Sequence, residues 1–196
     1  MNKSQKTIIE VKPNTFIFEK QNALPLDICQ EMIRRFEADT ENQYAGRIGQ
    51  TFTEDTSMKR STDLVTSGKE NWKDLDHELF RSLGQALVEF RETYPFFKGP
   101  FKDNGYAIQR TNVGEYYHWH IDGGSHEFAD RQLVAVWYLN DVDGPGGETE
   151  FSYQQLKVKP QAGKLCLFPP FWTHEHRGVT LEQGVKYIAT TWVVFA

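Results

Sequence analysis

From Gly105 to its end, the chain is broken by turn signals into short apolar runs. The breaks are Gly123-Gly124, Gly144-Pro145-Gly146-Gly147 and Pro169-Pro170. Between them lie Tyr106 to Arg110, Val134 to Leu139, Lys164 to Phe168 and Tyr187 to Phe195, rich in β-branched and aromatic residues. Runs of this kind read as strands. Many short strands with regular turns predict a closed or double-sheet β architecture, and a jelly roll is one of few options.

The first half has a different rhythm. Ile28, Met32, Ile33 and Phe36 recur at helical spacing after Pro25, which suits a first helical turn. Leu75, Leu79, Leu83, Leu87 and Phe90 form a second, longer stripe. Both stripes are expected to pack on the core. Between them, Tyr44 to Glu70 is polar and rich in Gly, Thr, Ser and Asp. Two readings of it stay open here: a surface loop, or a mobile segment beside an active-site mouth. A chain of 196 residues fits one domain able to bury a core. The expected division is a helical N-terminal support over residues 1–100 and a β-rich catalytic core over 101–196, without repeats or linkers.

A net charge of −5 argues against the basic surface of a nucleic-acid binder, while leaving a basic peptide acceptable as substrate. No stretch approaches the ~20 apolar residues needed to cross a bilayer. Met1 to Glu10 lacks the apolar core of a signal peptide. Cys29 and Cys166 both sit in apolar patterns, so buried free thiols are expected rather than a disulfide. These features predict a cytoplasmic protein, with no membrane and no nucleic-acid partner.

The chemistry concentrates around His120-Ile121-Asp122. On a strand, residues two apart share a face, so His120 and Asp122 are placed to reach one metal. A distant histidine would complete a facial triad for iron(II), leaving positions for a bidentate oxo acid and dioxygen. His174 and His176 are both candidates for that ligand, and Lys186 follows ten residues after His176. A His-x-Asp pair alone is common on protein surfaces, so its neighbourhood decides. That neighbourhood is Tyr116 to Gly124, then Val136-Trp137-Tyr138-Leu139-Asn140, Gly146 to Phe151, Pro160 to Pro169, and His176 to Trp192.

In these motifs, over roughly Tyr106 to Phe195, the chain resembles the 2-oxoglutarate and iron(II)-dependent oxygenases, most closely their prolyl 4-hydroxylase-like branch. The resemblance implies a mainly β fold with supporting α: a double-stranded β-helix (jelly roll) with the N-terminal helices packed on it. It implies iron(II), 2-oxoglutarate as co-substrate and dioxygen, admits ascorbate, and points to a protein or peptide substrate. His176-Arg177 through Gly184-Val185-Lys186 matches the family register, so His120, Asp122 and His176 become the metal ligands. Lys186 becomes the cation for the oxo-acid carboxylate, with Tyr138 and Thr190 beside it, and Trp192 the tryptophan that lines the metal pocket, all three counted with the cofactor site. Asp122, where a halogenase would carry a small residue, implies hydroxylation. Arg131 aligns with a substrate-contacting arginine. Thr111 stands where many relatives have a tyrosine, and Tyr106 or Tyr116 are the candidates to replace it.

Each assignment has a plainer counterpart. Tyr138 and Trp192 would also serve as core packing, and Arg131 as an exposed solvating residue. His118, His126 and His77 are expected not to be ligands. Neutral histidine ligands would lose metal as pH falls through the ~6.5 region. Two rival functions stay in view. One is a small-molecule or free amino-acid oxygenase of the same chemistry; the other is a non-catalytic metal-binding β-barrel module.

Overall fold

The computed structural model describes residues 7–49 and 51–196. Met1 to Lys6, most of the N-terminal stretch considered above, and Gln50 lie outside the described residues. Among the described residues, nine strands form the larger sheet. Its order is Ile8–Glu10, Phe18–Lys20, Leu165–Phe168, Arg131–Tyr138, Val185–Phe195, Ala107–Asn112, Thr62–Val65 and Tyr44–Ala45, with Phe101–Asp103 also on Val185–Phe195. The smaller sheet runs Leu156–Val158, Thr149–Phe151, His176–Gly178, Tyr116–His120 and Lys59–Arg60. Arg47–Ile48 and Thr53–Glu54 form a separate hairpin. The two main sheets make the double-stranded β-helix.

Strand alternation divides the interior in two. Leu133, Ala135, Trp137, Leu165, Leu167, Tyr187, Ala189 and Val193 point outward into a core shared with the helices. Their neighbours Val134, Val136, Tyr138, Cys166 and Phe168 point inward, with Ile188 and Trp192 packed at the edge of that group. There they meet Phe151 and Val158 of the smaller sheet. The period of two alone produces this split.

Helix α1 (Leu26–Ala38) follows Pro25 and buries Cys29, Met32 and Phe36. Helix α2 (Lys73–Thr93) buries Leu75, Leu79, Leu83, Ala86 and Phe90. Each buried leucine contributes about 1.5–3 kcal/mol relative to an exposed one. Ser82, also buried on α2, donates to the Ala23 carbonyl at 2.8 Å and accepts from Trp137 Nε1 at 2.9 Å. The helix is thereby tied to the larger sheet without an unsatisfied polar group.

The N-terminal half is more than helical support, because it adds strands to both sheets. Tyr44 to Glu70 is also not a plain surface loop. Thr62–Val65 pairs with Ala107–Asn112, Lys59–Arg60 pairs with Tyr116–His120, and Leu64 is fully buried. Cys29 and Cys166 are buried free thiols. No helix among the described residues is long and apolar enough to cross a membrane.

Candidate metal centre and co-substrate cavity

His120 ends its strand and pairs with His176, the first residue of the neighbouring one. One ligand atom each from His120, Asp122 and His176 lies within 4.8 Å of the others. His120 Nδ1 is 2.8 Å from the His118 carbonyl, and His176 Nδ1 is 2.9 Å from the His174 carbonyl. A carbonyl oxygen only accepts, so each Nδ1 carries the proton and each Nε2 keeps its lone pair. Asp122 Oδ2 is buried, 3.1 Å from His176 Nε2 and without a donor. Lone pairs facing one another this closely need a cation between them, and this donor set suits iron(II).

In the metal-free protein a proton on the imidazoles would take the cation's place. Burial would raise the Asp122 carboxyl, but His176, then His120 and Arg131, hold it far below the carboxylate range. Burial, followed by the neighbouring His176, pushes His120 down to about 3.

One expectation is corrected here. The Tyr116–His120 strand stops before Asp122, so strand alternation does not aim that carboxylate. Instead, the Asp122 N–H donates to the Pro170 carbonyl at 3.1 Å, Arg131 Nη1 donates to the Asp122 carbonyl at 2.6 Å, and Trp192 Nε1 donates to Oδ1 at 3.1 Å.

The triad opens into a cavity of about 610 Å³. Lys186, Ile188, Thr190 and Trp192 line one wall, being alternate residues of one strand. Thr111 sits directly opposite Lys186, and Val136 opposite Thr190. Lys186 is 5% exposed, and its Nζ donates to the Gly147 carbonyl at 3.0 Å. That carbonyl is brought close by a tight turn. Gly146 has φ of +82°, and a Cβ there would stand 2.0 Å from the Thr180 carbonyl oxygen. Burial pulls the Lys186 ammonium down to about 8, against the raising effect of Glu148. Tyr138 is fully buried behind the wall, and its hydroxyl meets Thr149 Oγ1 at 2.7 Å. Thr149 lines the cavity and Tyr138 does not, so the Tyr138 hydroxyl meets the cavity wall through Thr149.

Arg131 lines the cavity but is only 9% exposed, which removes the solvating reading. His174 is turned away: Nε2 is 2.9 Å from the Thr15 carbonyl and Nδ1 2.9 Å from Thr173 Oγ1. It contributes its backbone carbonyl to His176 and no side chain to the triad. His118, His126 and His77 are exposed and outside the triad. Tyr106 and Tyr116 both line the cavity wall, and the Tyr116 hydroxyl donates to the Thr56 carbonyl. A more open depression of about 810 Å³, around Asp74, Asp76 and His77, holds no triad residue.

Three features escaped sequence reasoning. Tyr117 stacks on His120 with ring centres 3.5 Å apart. Lys59 and Asp63 form a buried pair at 2.6 Å on the cavity wall, with Ser61 donating to Asp63 at 2.7 Å. Thr149 is the third. A lysine and an aspartate at i and i+4 in a strand-rich segment give no signal of pairing, because the contact is made where the chain passes at Ser61 from a strand of the smaller sheet to a strand of the larger.

Residues 106–194 match the family model of the 2OG-Fe(II) oxygenase superfamily. A PKHD-type hydroxylase of Synechococcus sp. (strain CC9902) is 29% identical over 89 residues, covering 44% of this chain and 39% of that protein. PKHD-type hydroxylase PiuC of Pseudomonas aeruginosa is 28% identical over 129 residues, covering 60% of this chain and 56% of that protein. The chain thus spans about half the length, or less, of these curated relatives. Among solved structures, a prolyl hydroxylase of Trichoplax adhaerens bound to a hypoxia inducible factor peptide superposes with a TM-score of 0.77 at 14% identity, covering 92% of this chain and 84% of that one. Viral collagen prolyl hydroxylase of Paramecium Bursaria Chlorella virus-1, in its 2OG complex, gives 0.69 at 20% identity, covering 95% and 99%. A Pseudomonas putida prolyl-4-hydroxylase gives 0.69 at 18%, covering 92% and 93%. At these identities the structures report the shared fold.

Proposed function

We propose that this chain, whose residues 106–194 match the family model of the 2OG-Fe(II) oxygenase superfamily, is a 2-oxoglutarate- and iron(II)-dependent dioxygenase of prolyl 4-hydroxylase type acting on a protein or peptide. The observation that carries this reading is the meeting, in one cavity, of the triad and a buried, unneutralised lysine. A binding module without oxo-acid chemistry has no use for a cation buried at that cost.

His120, Asp122 and His176 would hold iron(II), and Lys186 would pair with the distal carboxylate of 2-oxoglutarate, with Thr149 and Thr190 alongside. When bound, iron, oxo acid and dioxygen supply oxidative decarboxylation to succinate and carbon dioxide, coupled to hydroxylation of a C–H bond. The protein's share is orientation and shielding. The Nδ1–H bonds keep both imidazoles neutral and aimed, Tyr117 backs His120, and the wall from Ile188 to Trp192 keeps water from the reacting carbon.

The peptide reading is supported by the rim. Phe52, on the Arg47–Glu54 hairpin, lines the cavity yet is 66% exposed, so this side lies open to solvent. The structural relative from Trichoplax adhaerens carries a peptide. The cytoplasmic setting is proposed from the two unpaired thiols. Net charge of −5 supports a substrate other than nucleic acid or membrane.

The test is succinate release from 2-oxoglutarate and iron(II), with and without proline-containing peptides, and with and without ascorbate. Peptide-stimulated succinate and a peptide mass gain of one oxygen atom are expected. Succinate without any oxidised peptide would shift the reading to a small-molecule or free amino-acid substrate.

A further inference from the structure

Asp122 is the one triad member without a strand to aim it. What aims it comes from three distant segments. Pro170 fixes its N–H, Arg131 its carbonyl and Trp192 its Oδ1. Two of these three are themselves joined. The Arg131 guanidinium carbon lies 3.8 Å from the ring centre of Trp192 and 3.8 Å from that of Phe128. Phe128 belongs to a short turn of helix, His126–Phe128, inside the loop that Asp122 begins.

We propose that Arg131 is a positioning residue for the metal carboxylate, holding Asp122 through its carbonyl and holding Trp192, the donor to Oδ1, by stacking. This rests on the metal reading of the triad and is independent of the peptide reading. Only a planar cation does both jobs. Its N–H groups donate in the plane while its two faces lie on aromatic rings, whereas an ammonium is a point charge without faces. Burial and stacking leave Arg131 little freedom to follow a substrate.

The arrangement also has a coordination consequence. With Oδ1 occupied by the Trp192 N–H, Oδ2 would be the Asp122 oxygen left to hold the ion.

The experiment is calorimetric titration of the metal-free protein with Co(II), with the Co(II) absorption spectrum as a second readout and the peptide KM measured in parallel. The variants are Arg131→Lys, Arg131→Met and Trp192→Phe. Each is expected to weaken Co(II) binding by about 10–100-fold, the usual effect of losing a partner behind a metal ligand, and to change the spectrum. Arg131→Lys should not rescue. Trp192→Phe keeps a ring for stacking and drops only the N–H, so it carries the test if Arg131→Met does not fold. Wild-type Co(II) affinity and spectrum in folded Arg131→Lys and Trp192→Phe, with the defect confined to peptide KM, would overturn the proposal and make Arg131 a substrate contact. A wild-type protein that binds neither Co(II) nor Fe(II) would overturn the metal reading itself.

Discussion

The two sides of the cavity are built on different principles. The wall carrying Lys186, Ile188, Thr190 and Trp192 is one uninterrupted strand, and its pleat assigns every side chain to a face. The opposite side, with His120, Asp122 and His176, sits where strands end, and contacts between distant segments orient its groups. Regular backbone positions side chains cheaply, at fixed intervals. A metal site needs three atoms on one point, which no strand period supplies. The difference suggests where damage should spread: changes at the strand ends, and at Trp192 whose N–H reaches across to Asp122, should propagate, whereas changes at Lys186, Ile188 and Thr190 should stay local.

The largest effect that would sharpen this contrast is at the ligands. His120→Ala, Asp122→Ala and His176→Ala are each expected to reduce succinate formation to background, since three ligands act as a unit. Next comes the segment that joins the two sheets near the ligand strand. Lys59→Met leaves Asp63 buried without its cation, at a cost of roughly 3–5 kcal/mol in unfolding free energy. The double change Lys59→Met with Asp63→Leu should recover most of that in denaturant melts. A small effect of the single change would mean that the pair is solvated and that this wall is less ordered than described.

In the pleated wall the expected effects are local and separable. Lys186→Met should raise the KM for 2-oxoglutarate about 10–100-fold, as a lost charge-assisted bond of ~1.5–3 kcal/mol implies, with metal affinity unchanged. The same substitution should raise the melting temperature of the metal-free protein. The folded pKa of Lys186, about 8, lies below its ordinary 10.5. The unfolded chain therefore binds more protons between those values, and the cost of burying the charge, on the order of 3 kcal/mol, is complete below about pH 8. The gain from Lys186→Met should be full at neutral pH and fade as pH rises from about 8 towards 10.5. For the wild type, affinity for 2-oxoglutarate should weaken as pH rises past about 8. Smallest is Tyr138→Phe, which removes one buried bond of about 1 kcal/mol and should disturb the oxo-acid KM less than Thr149→Val does.

How much of this was legible depended on the same distinction. Apolar runs bounded by turn residues make four strands readable within a few residues, at Ala107–Asn112, Arg131–Tyr138, Leu165–Phe168 and Val185–Phe195, and leucine spacing makes α2 readable. The faces of Lys186, Thr190 and Trp192 follow from one period. Strand alternation predicts that Asp122 sits beside His120, and the structure brings the two together with His176, but by contacts from other segments, since the strand ends at His120. The expectation that Tyr138 sits at the oxo acid comes from the family resemblance of its Tyr-Leu-Asn run; that Thr149 stands between its hydroxyl and the cavity depends on a contact no local pattern encodes. The Lys59–Asp63 pair and the stacking of Arg131 depend on how segments far apart in sequence are packed, and neither periodicity nor composition encodes that. Tyr44 to Glu70 looked like a loop because its strands are only two to four residues long, too short to show a period.

The most direct test of the account is anaerobic Fe(II) titration of His174→Ala beside His176→Ala. The two histidines are two residues apart, yet His176 offers a free Nε2 to the triad while both ring nitrogens of His174 are engaged elsewhere. His174→Ala should bind iron with near wild-type affinity, and His176→Ala should not bind it measurably. Loss of iron in folded His174→Ala with retention in His176→Ala would contradict the assignment of the metal site.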